Sequence, residues 1–375
     1  MRKYRSALLL LLCLAMLLST VRAAESVDAA QTSAGLSALG GKAGTLLQNQ
    51  EDFPAGTSVC DWVAMALALS GSAEDYSAYL SALKAYVENA YAEAGGLDRV
   101  KATVYHRISL TVLALGGDPT HFGIAPDGTP IDLIADGTYA FRGESLGAQG
   151  LNAWIYALLA LDAADVSIPK DAKYPRERIC EEILAAQESD GGFGLTEGRS
   201  DADVTAMAVQ ALAPYRAEYG EAIERALDYL SSVMNENGRF TAYGTESAET
   251  SAQVILALCA LDIAPHSDSR FVRGENDLFS GLNAFRQADG TYGHTLEDTE
   301  GNFLATSQVL LALTAVERLQ NGQPHLFDFS SYIGPNQRAA HSVTIYIIAA
   351  LGAAAALAGC IIIARKRSKH GKSNG

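Results

Sequence analysis

Six runs of small and apolar residues recur along the chain, each apolar almost all round a helix and each closing on a leucine. They end at Leu69 in WVAMALALSG, Leu115 in RISLTVLALGG, Leu161 in AWIYALLALDA, Leu212 in VTAMAVQALAPY, Leu258 in SAQVILALCAL and Leu313 in TSQVLLALTAV. Helices that are apolar on every side are buried. The stretches between them are richer in charge: Tyr76 to Ala94, Pro175 to Gln187, Glu218 to Met234 and Asn276 to Gln287. Their apolar residues recur three and four apart, as at Ile179, Ile183 and Leu184, which is the stripe of a helix with one wet face. Two further surface helices are marked less sharply, one within 27–49 and one near Ile131 to Asp136. The leucine anchors lie 46, 46, 51, 46 and 55 residues apart, and six units of near-constant length are the signature of a repeat array. The pattern predicts an all-α fold, with an inner ring of about six buried helices wrapped by about six outer ones over residues 25–318.

The joints between surface and buried helices share a signature. Gln187-Glu-Ser-Asp-Gly-Gly-Phe193-Gly194 and Gln287-Ala-Asp-Gly-Thr-Tyr292-Gly293 both give Gln, then Asp-Gly, then an aromatic and a glycine, and Asn235-Glu-Asn-Gly-Arg-Phe240 is a looser copy. Asp-Gly stops the outer helix and supplies the turn, and the aromatic packs back across the joint. These are read as structural staples rather than catalytic loops.

The two ends change the picture. Arg2, Lys3 and Arg5 precede a leucine-rich run from Ala7 to Leu18 and small residues at Ala23 and Ala24, the layout of a signal peptide over 1–24. Leu12 before Cys13 lacks the small side chain a lipidation site wants. Val343 to Ala364 is 22 residues without a charge, and a bilayer core takes about 20 residues of helix. Arg365, Lys366, Arg367, Lys369 and Lys372 follow at once, and basic residues stay on the cytoplasmic side. The expectation is a single-pass cell-membrane protein with its ring outside, a membrane helix over 343–364 and a cytoplasmic tail over 365–375. Residues 319–342 have no periodicity and read as a tether, with no room for a second domain.

Nine of the 28 basic residues lie in these two ends and none of the 43 acidic ones, so the body carries 19 against 43, a balance of −24. Such a surface repels nucleic acid. Of the five cysteines, Cys13 and Cys360 fall in the ends, and Cys60, Cys180 and Cys259 are too few for a disulfide framework. The fold must be held by its core.

The joints, the six-fold helical pairing and the run DADVTAMAVQAL resemble the α/α-toroid superfamily, which includes squalene and terpene cyclases, prenyltransferase β subunits, thioester domains and cobalamin carriers. SDADVTAMAVQALAPY and SAETSAQVILALCALDI are most similar to bacterial secreted or surface proteins whose toroid resembles the transcobalamin and intrinsic-factor type. The resemblance covers roughly residues 30–320. It implies a ligand-binding module for a corrinoid or another bulky small molecule, with no resident cofactor. The enzymes of the superfamily fit less well. A squalene-type cyclase uses Asp-x-Asp-Asp-Thr-Ala to protonate its substrate; here Asp201-Ala202-Asp203-Val204-Thr205-Ala206 keeps the acid position at Asp203 but replaces its neighbouring carboxylate with Val204. The prenyltransferase Asp-x-Cys is absent, Cys60-Asp61 being reversed and unspaced, and Cys-Gly-Glu-Gln is absent too.

Counting back from each anchor gives candidate site residues. Eleven before it stand Ser58, Asp201, Ser247 and Asn302, preferred N-cap types that contribute about 1 kcal/mol each. Nine before it stand Cys60, His106, Asn152, Asp203, Glu249 and Leu304, five polar residues at the starts of buried helices. Acids there complement the helix dipole, a structural use worth about 0.3–1 kcal/mol. The functional alternative is a polar mouth made by Asn152, Asp203, Glu249 and His106, joined by Asp61, Tyr105, Arg107, Trp154 and Tyr156 on the same first turns. Cys60, His106 and Asp203 come from separate units and are not expected to converge on a metal. The Glu297 to Asn302 loop lacks the alternating spacing of a calcium site. Three readings follow: a membrane-anchored extracellular binder of a small molecule; a toroid enzyme of cyclase-like or glycan-cleaving type with Asp203 as acid and Asp201 or Glu249 as its partner; and an adhesion or assembly module that engages a surface protein.

Overall fold

The computed structural model describes residues 29–39, 44–242, 244–332 and 334–335. The expected signal peptide, membrane helix and basic tail lie outside the described residues. Among those described, no helix is long and apolar enough to cross a membrane. The helices in chain order are α1 (Ala29–Leu39), α2 (Ser58–Leu69), α3 (Tyr76–Ala94), α4 (Thr103–Ala114), α5 (Leu133–Gly137), α6 (Leu151–Ala163), α7 (Arg176–Ala185), α8 (Ala202–Leu212), α9 (Arg216–Val233), α10 (Ala248–Ala260), α11 (Leu278–Asn283) and α12 (Phe303–Gln320).

Every even-numbered helix is one of the six apolar runs. Each contacts the next, α2 to α4 and so on to α12, and α12 returns to α2, so they close a ring. The odd-numbered helices lie outside it, each on the inner helix that precedes it in the chain: α3 on α2, α5 on α4, α7 on α6, α9 on α8 and α11 on α10. Helix α1 has no predecessor and packs on α12, so the N-terminal helix supplies the sixth pair. Among the described residues the result is a closed ring of six inner helices with six outer helices packed on it, an α/α-toroid arrangement. Alanines make the inner ring tight: Ala64, Ala66, Ala206, Ala208, Ala252 and Ala257 are fully buried. Small residues on facing surfaces let axes approach toward the short end of the usual 8–10 Å.

The joints are staples, as their composition implies. Gly191, Gly238 and Gly290 adopt φ of 90°, 75° and 88°, a region that favours glycine. The aromatics that follow, Phe193, Phe240 and Tyr292, are wholly buried. Threonines of the inner helices hold two of the three: Thr205 Oγ1 accepts from Phe193 N at 2.8 Å, and Thr306 Oγ1 from Tyr292 N at 3.0 Å.

Several details differ from the sequence expectation. Small antiparallel hairpins occupy three connections: β1 (Phe193–Thr196) with β2 (Arg199–Asp201), β3 (Thr241–Ala242) with β4 (Thr245–Glu246), and β5 (Val272–Arg273) with β6 (Asn276–Asp277). The last shortens the surface helix expected over Asn276 to Gln287 to α11, because a capping box between Asp277 and Ser280 starts the helix there. Of the four expected caps, Asp201, Ser247 and Asn302 do accept from the first turns of α8, α10 and α12. Ser58 does not: Thr57 is the N-cap position of α2, and no side chain caps it.

Residues 321–332, expected as part of a tether, run back over the ring instead. Leu326 is buried, and the Tyr332 hydroxyl lies 3.0 Å from Ala114 O and 3.3 Å from Ala68 O, at the ends of α4 and α2. Carbonyls at helix C-termini lack intrahelical partners, and Tyr332 supplies one. A Cβ on Gly334 would stand 2.4 Å from Gly116 Cα, so the two backbones meet where only glycine fits.

Candidate functional site

The inner helices run parallel, so their N-termini gather at one mouth of the ring and their C-termini at the other. At the N-terminal mouth the hairpin β1–β2 delivers the chain to Asp201, whose Oδ1 accepts from Asp203 N at 3.0 Å and Val204 N at 3.3 Å. That commitment makes Asp201 a cap and leaves Asp203, on the first turn of α8, free to face the interior. Asp203 is half-buried, and its carboxylate has no hydrogen-bond partner among the described residues. Burial, with the charges of Asp201 and Glu249 nearby, pushes its pKa up to about 7.

One turn deeper the ring is crossed by aromatics. Tyr156 of α6 meets Trp62 of α2 edge to face at 6.1 Å between centroids, although α4 separates these helices along the ring. The Tyr156 hydroxyl reaches Met207 Sδ of α8 at 3.2 Å. Burial raises the Tyr156 pKa, and the Asp203 charge adds to this. Glu249, on the first turn of α10, is held by His294 Nδ1 at 2.8 Å. Exposed apolar side chains stand at the same end, Val59 and Leu304 on the first turns of α2 and α12 and Leu195 on β1. The mouth is therefore an acidic pair, Asp203 and Glu249, above a floor of Trp62, Tyr156 and Met207.

Other expected members do not join it. Asp61 is fully buried: Oδ1 accepts from Gly56 N at 3.0 Å and the Tyr79 hydroxyl at 2.7 Å, and Oδ2 pairs with Arg107 Nε at 2.9 Å. Arg107 also donates to Gly56 O at 2.9 Å. Asp61 and Arg107 thus clasp α2, α3, α4 and the loop before α2, and both Asp61 oxygens are occupied. Burial pushes the Asp61 carboxyl up, and Arg107 and Tyr79 oppose it. Tyr105 turns outward, its hydroxyl accepting from Leu97 N at 2.8 Å and its ring edge-on to Phe141. His106 is buried with Nε2 2.6 Å from Gly137 O, and burial drives its pKa down to about 4, so the neutral ring donates to that carbonyl. Trp154 packs edge-on to Tyr174 at 5.6 Å, toward the outer layer. Asn152 lies half-buried on the first turn of α6, with Oδ1 unpartnered among the described residues. The reason is shared: these residues stand seven to ten before their anchors, within the first turns of the inner helices, where a small rotation of the helix sends a side chain outward or inward.

Tyr156, which the sequence reading did include, stands five before its anchor, and the residues at the same position of three other units, Met207, Gln253 and Gln308, are ones it missed. The same leucine count would have found this inward stripe. Two of its members, with Gln210, form a buried chain in which Gln210 Nε2 donates to Gln253 Oε1 and Gln253 Nε2 to Gln308 Oε1, both at 2.8 Å. At the opposite mouth a cavity of about 370 Å³ opens between the C-terminal ends of α6, α8 and α10, roofed by residues 325–328. Among the described residues, no three His, Cys, Asp or Glu side chains gather as a metal site, and Cys60, Cys180 and Cys259 are buried and unpaired.

The chemistry open to the N-terminal mouth is hydrogen-bond or proton donation by Asp203. The second carboxylate of the cyclase motif is replaced by Val204, which is buried in the ring wall.

No protein-family model matches the chain, and no curated protein matches it. Among solved structures it is similar to Candida albicans protein geranylgeranyltransferase-I complexed with GGPP, at 12% identity and a TM-score of 0.46, over 77% of this chain and 92% of that one. The toroid stands on its own helix contacts, not on this likeness.

Proposed function

We propose that this toroid binds a small molecule at the mouth formed by the N-termini of its inner helices, with Asp203 as the recognising group. One observation supports the reading above others: a half-buried carboxyl faces the ring interior with no hydrogen-bond partner among the described residues. A half-buried carboxyl with no partner from the protein is open to a group supplied from outside. The aromatic floor and apolar rim fit a ligand with a substantial apolar surface, and Asp203 fits one that accepts a hydrogen bond below about pH 7 and donates one above it.

The binder is held at a membrane by Val343 to Ala364, with the ring outside and the basic tail in the cytoplasm. Pro335 is eight residues from Val343, which extended chain spans in at most about 29 Å. The C-terminal mouth then faces the bilayer, and the Asp203 mouth faces away from it.

A second reading, favoured by the pKa of about 7, makes Asp203 a general acid, since an acid poised near the working pH donates most effectively. Its partner is Glu249 rather than Asp201, which is spent on its cap.

The test is a thermal-shift screen of the full chain in detergent against corrinoids, isoprenoids and oligosaccharides, with Asp203→Asn in parallel. Ligand at a hundredfold its Kd adds about 2.7 kcal/mol. A shift with one class, weakened in Asp203→Asn, supports the site, and turnover of that compound lost in the variant supports the acid reading. Cooperative unfolding with no shift from any class sinks both and leaves the apolar rim as a docking surface for a surface protein.

A further inference from the structure

We propose that the cavity at the opposite mouth is a second binding site, made for a small apolar molecule that carries an amine. Its volume of about 370 Å³ lies within the range of small-molecule pockets, about 300–1,000 Å³. Its walls include Leu159, Leu256 and Ala315 from three inner helices, and Leu326 and Phe327 form the roof. An apolar body fits between them.

The polar group sits at one edge. Asp162 ends α6, and its Oδ1 accepts from Arg176 Nε at 2.8 Å and from the Tyr215 hydroxyl at 3.0 Å. Its Oδ2 is buried and has no partner among the described residues. A buried acceptor left unmade is costly, and a ligand N–H that parts the pocket wall enough to reach Oδ2, which has no accessible surface in this conformation, removes that cost. The sign of the charge follows from the rest of the lining. Asp262 and Asp328 add two carboxylates. Of the cations, Arg216 is directed to Leu261 O at 3.2 Å and to Glu224 at 3.6 Å, and Arg176 is already committed to Asp162. The site favours a protonated amine over a carboxylate.

The roof sets how the ligand enters. Residues 325–328 are fixed on one side by α12 and on the other by Tyr332 on the ends of α2 and α4. Across the cavity they are held by His325 Nε2 at 3.7 Å from Asp262 Oδ1, a solvent-exposed pair, and such pairs are weak. Opening at this latch admits the ligand without unfolding the ring.

The pocket shares no residue with the Asp203 mouth, so each reading fails on its own. The experiment titrates the full chain in detergent with aminoadamantane, a compact apolar amine, with adamantane carboxylate as the charge-reversed probe. One saturable site per chain is expected, with the amine bound at least tenfold more tightly than the acid. Asp162→Asn and the pocket-filling Leu256→Phe should each weaken it at least tenfold. No saturable binding, equal affinity for the two probes, or indifference to both folded variants overturns the proposal. Should the variants not fold, the wild type still decides: Cys259 lines the pocket, and aminoadamantane should slow its modification by methyl methanethiosulfonate while leaving Cys180 unaffected. Unchanged labelling of Cys259 overturns it equally.

Discussion

Asp203→Asn should stabilise this protein above neutral pH and leave it unchanged in acid. The folded carboxyl titrates at about 7 and an unfolded aspartate near 3.8. Below about pH 4 both states hold the proton, and the neutral amide gains nothing over the neutral acid. Between about 4 and 7 the unfolded chain releases its proton while the folded ring retains it, so wild-type stability falls as pH rises. Above about 7 both are ionised and the loss is complete. At about 1.36 kcal/mol per pH unit the loss reaches at most about 4 kcal/mol. Over about 300 ordered residues the unfolding entropy is about 0.6 kcal/mol/K, so the midpoint should rise by up to about 6 °C at pH 8. The assay is thermal unfolding by circular dichroism of both proteins at pH 4, 6 and 8. A midpoint difference independent of pH, or a variant less stable than wild type at pH 8, would refute the picture of an unpaired, internally facing carboxyl.

Other expectations follow from the same structure. His106, buried and shifted down to about 4, has the opposite slope. The unfolded ring binds a proton below about 6.5 that the folded one refuses until about 4, so it removes about 3 kcal/mol as pH falls across that window. A His106→Gln variant should lack this slope in guanidinium titrations taken relative to wild type. Arg107→Met leaves Asp61 charged and buried in the clasp and should cost about 3–5 kcal/mol by the same titration. Gln253→Leu breaks the buried glutamine chain on both sides and should cost about 1–3 kcal/mol, read as a lower denaturant midpoint at unchanged slope. Gly238→Ala should unfold earlier still, because a Cβ there would stand 2.0 Å from Asp277 O.

The ring of helices was legible in the sequence because burial on all sides leaves a composition that local chemistry cannot mimic. The six runs ending at Leu69 through Leu313 became the even-numbered helices α2 to α12, and the joints became the staples at Phe193, Phe240 and Tyr292. The place of Asp203 on the first turn of α8 was legible too, since its position follows from the cap at Asp201. Side-chain direction was not. Tyr105, His106 and Trp154 share their turns with inward residues yet point to the outer layer, and Arg107 turns sideways to Asp61 of α2, because a few degrees of helix rotation, set by neighbouring helices, decides between the faces. Ring closure by α12 on α2, the packing of α1 on α12, the meeting of Trp62 with Tyr156 across α4, and the folding of residues 321–332 over the C-terminal mouth depend on contacts between segments far apart in the chain. Periodicity reports what a residue does within its own helix; only the closed ring determines which residues face one another across it.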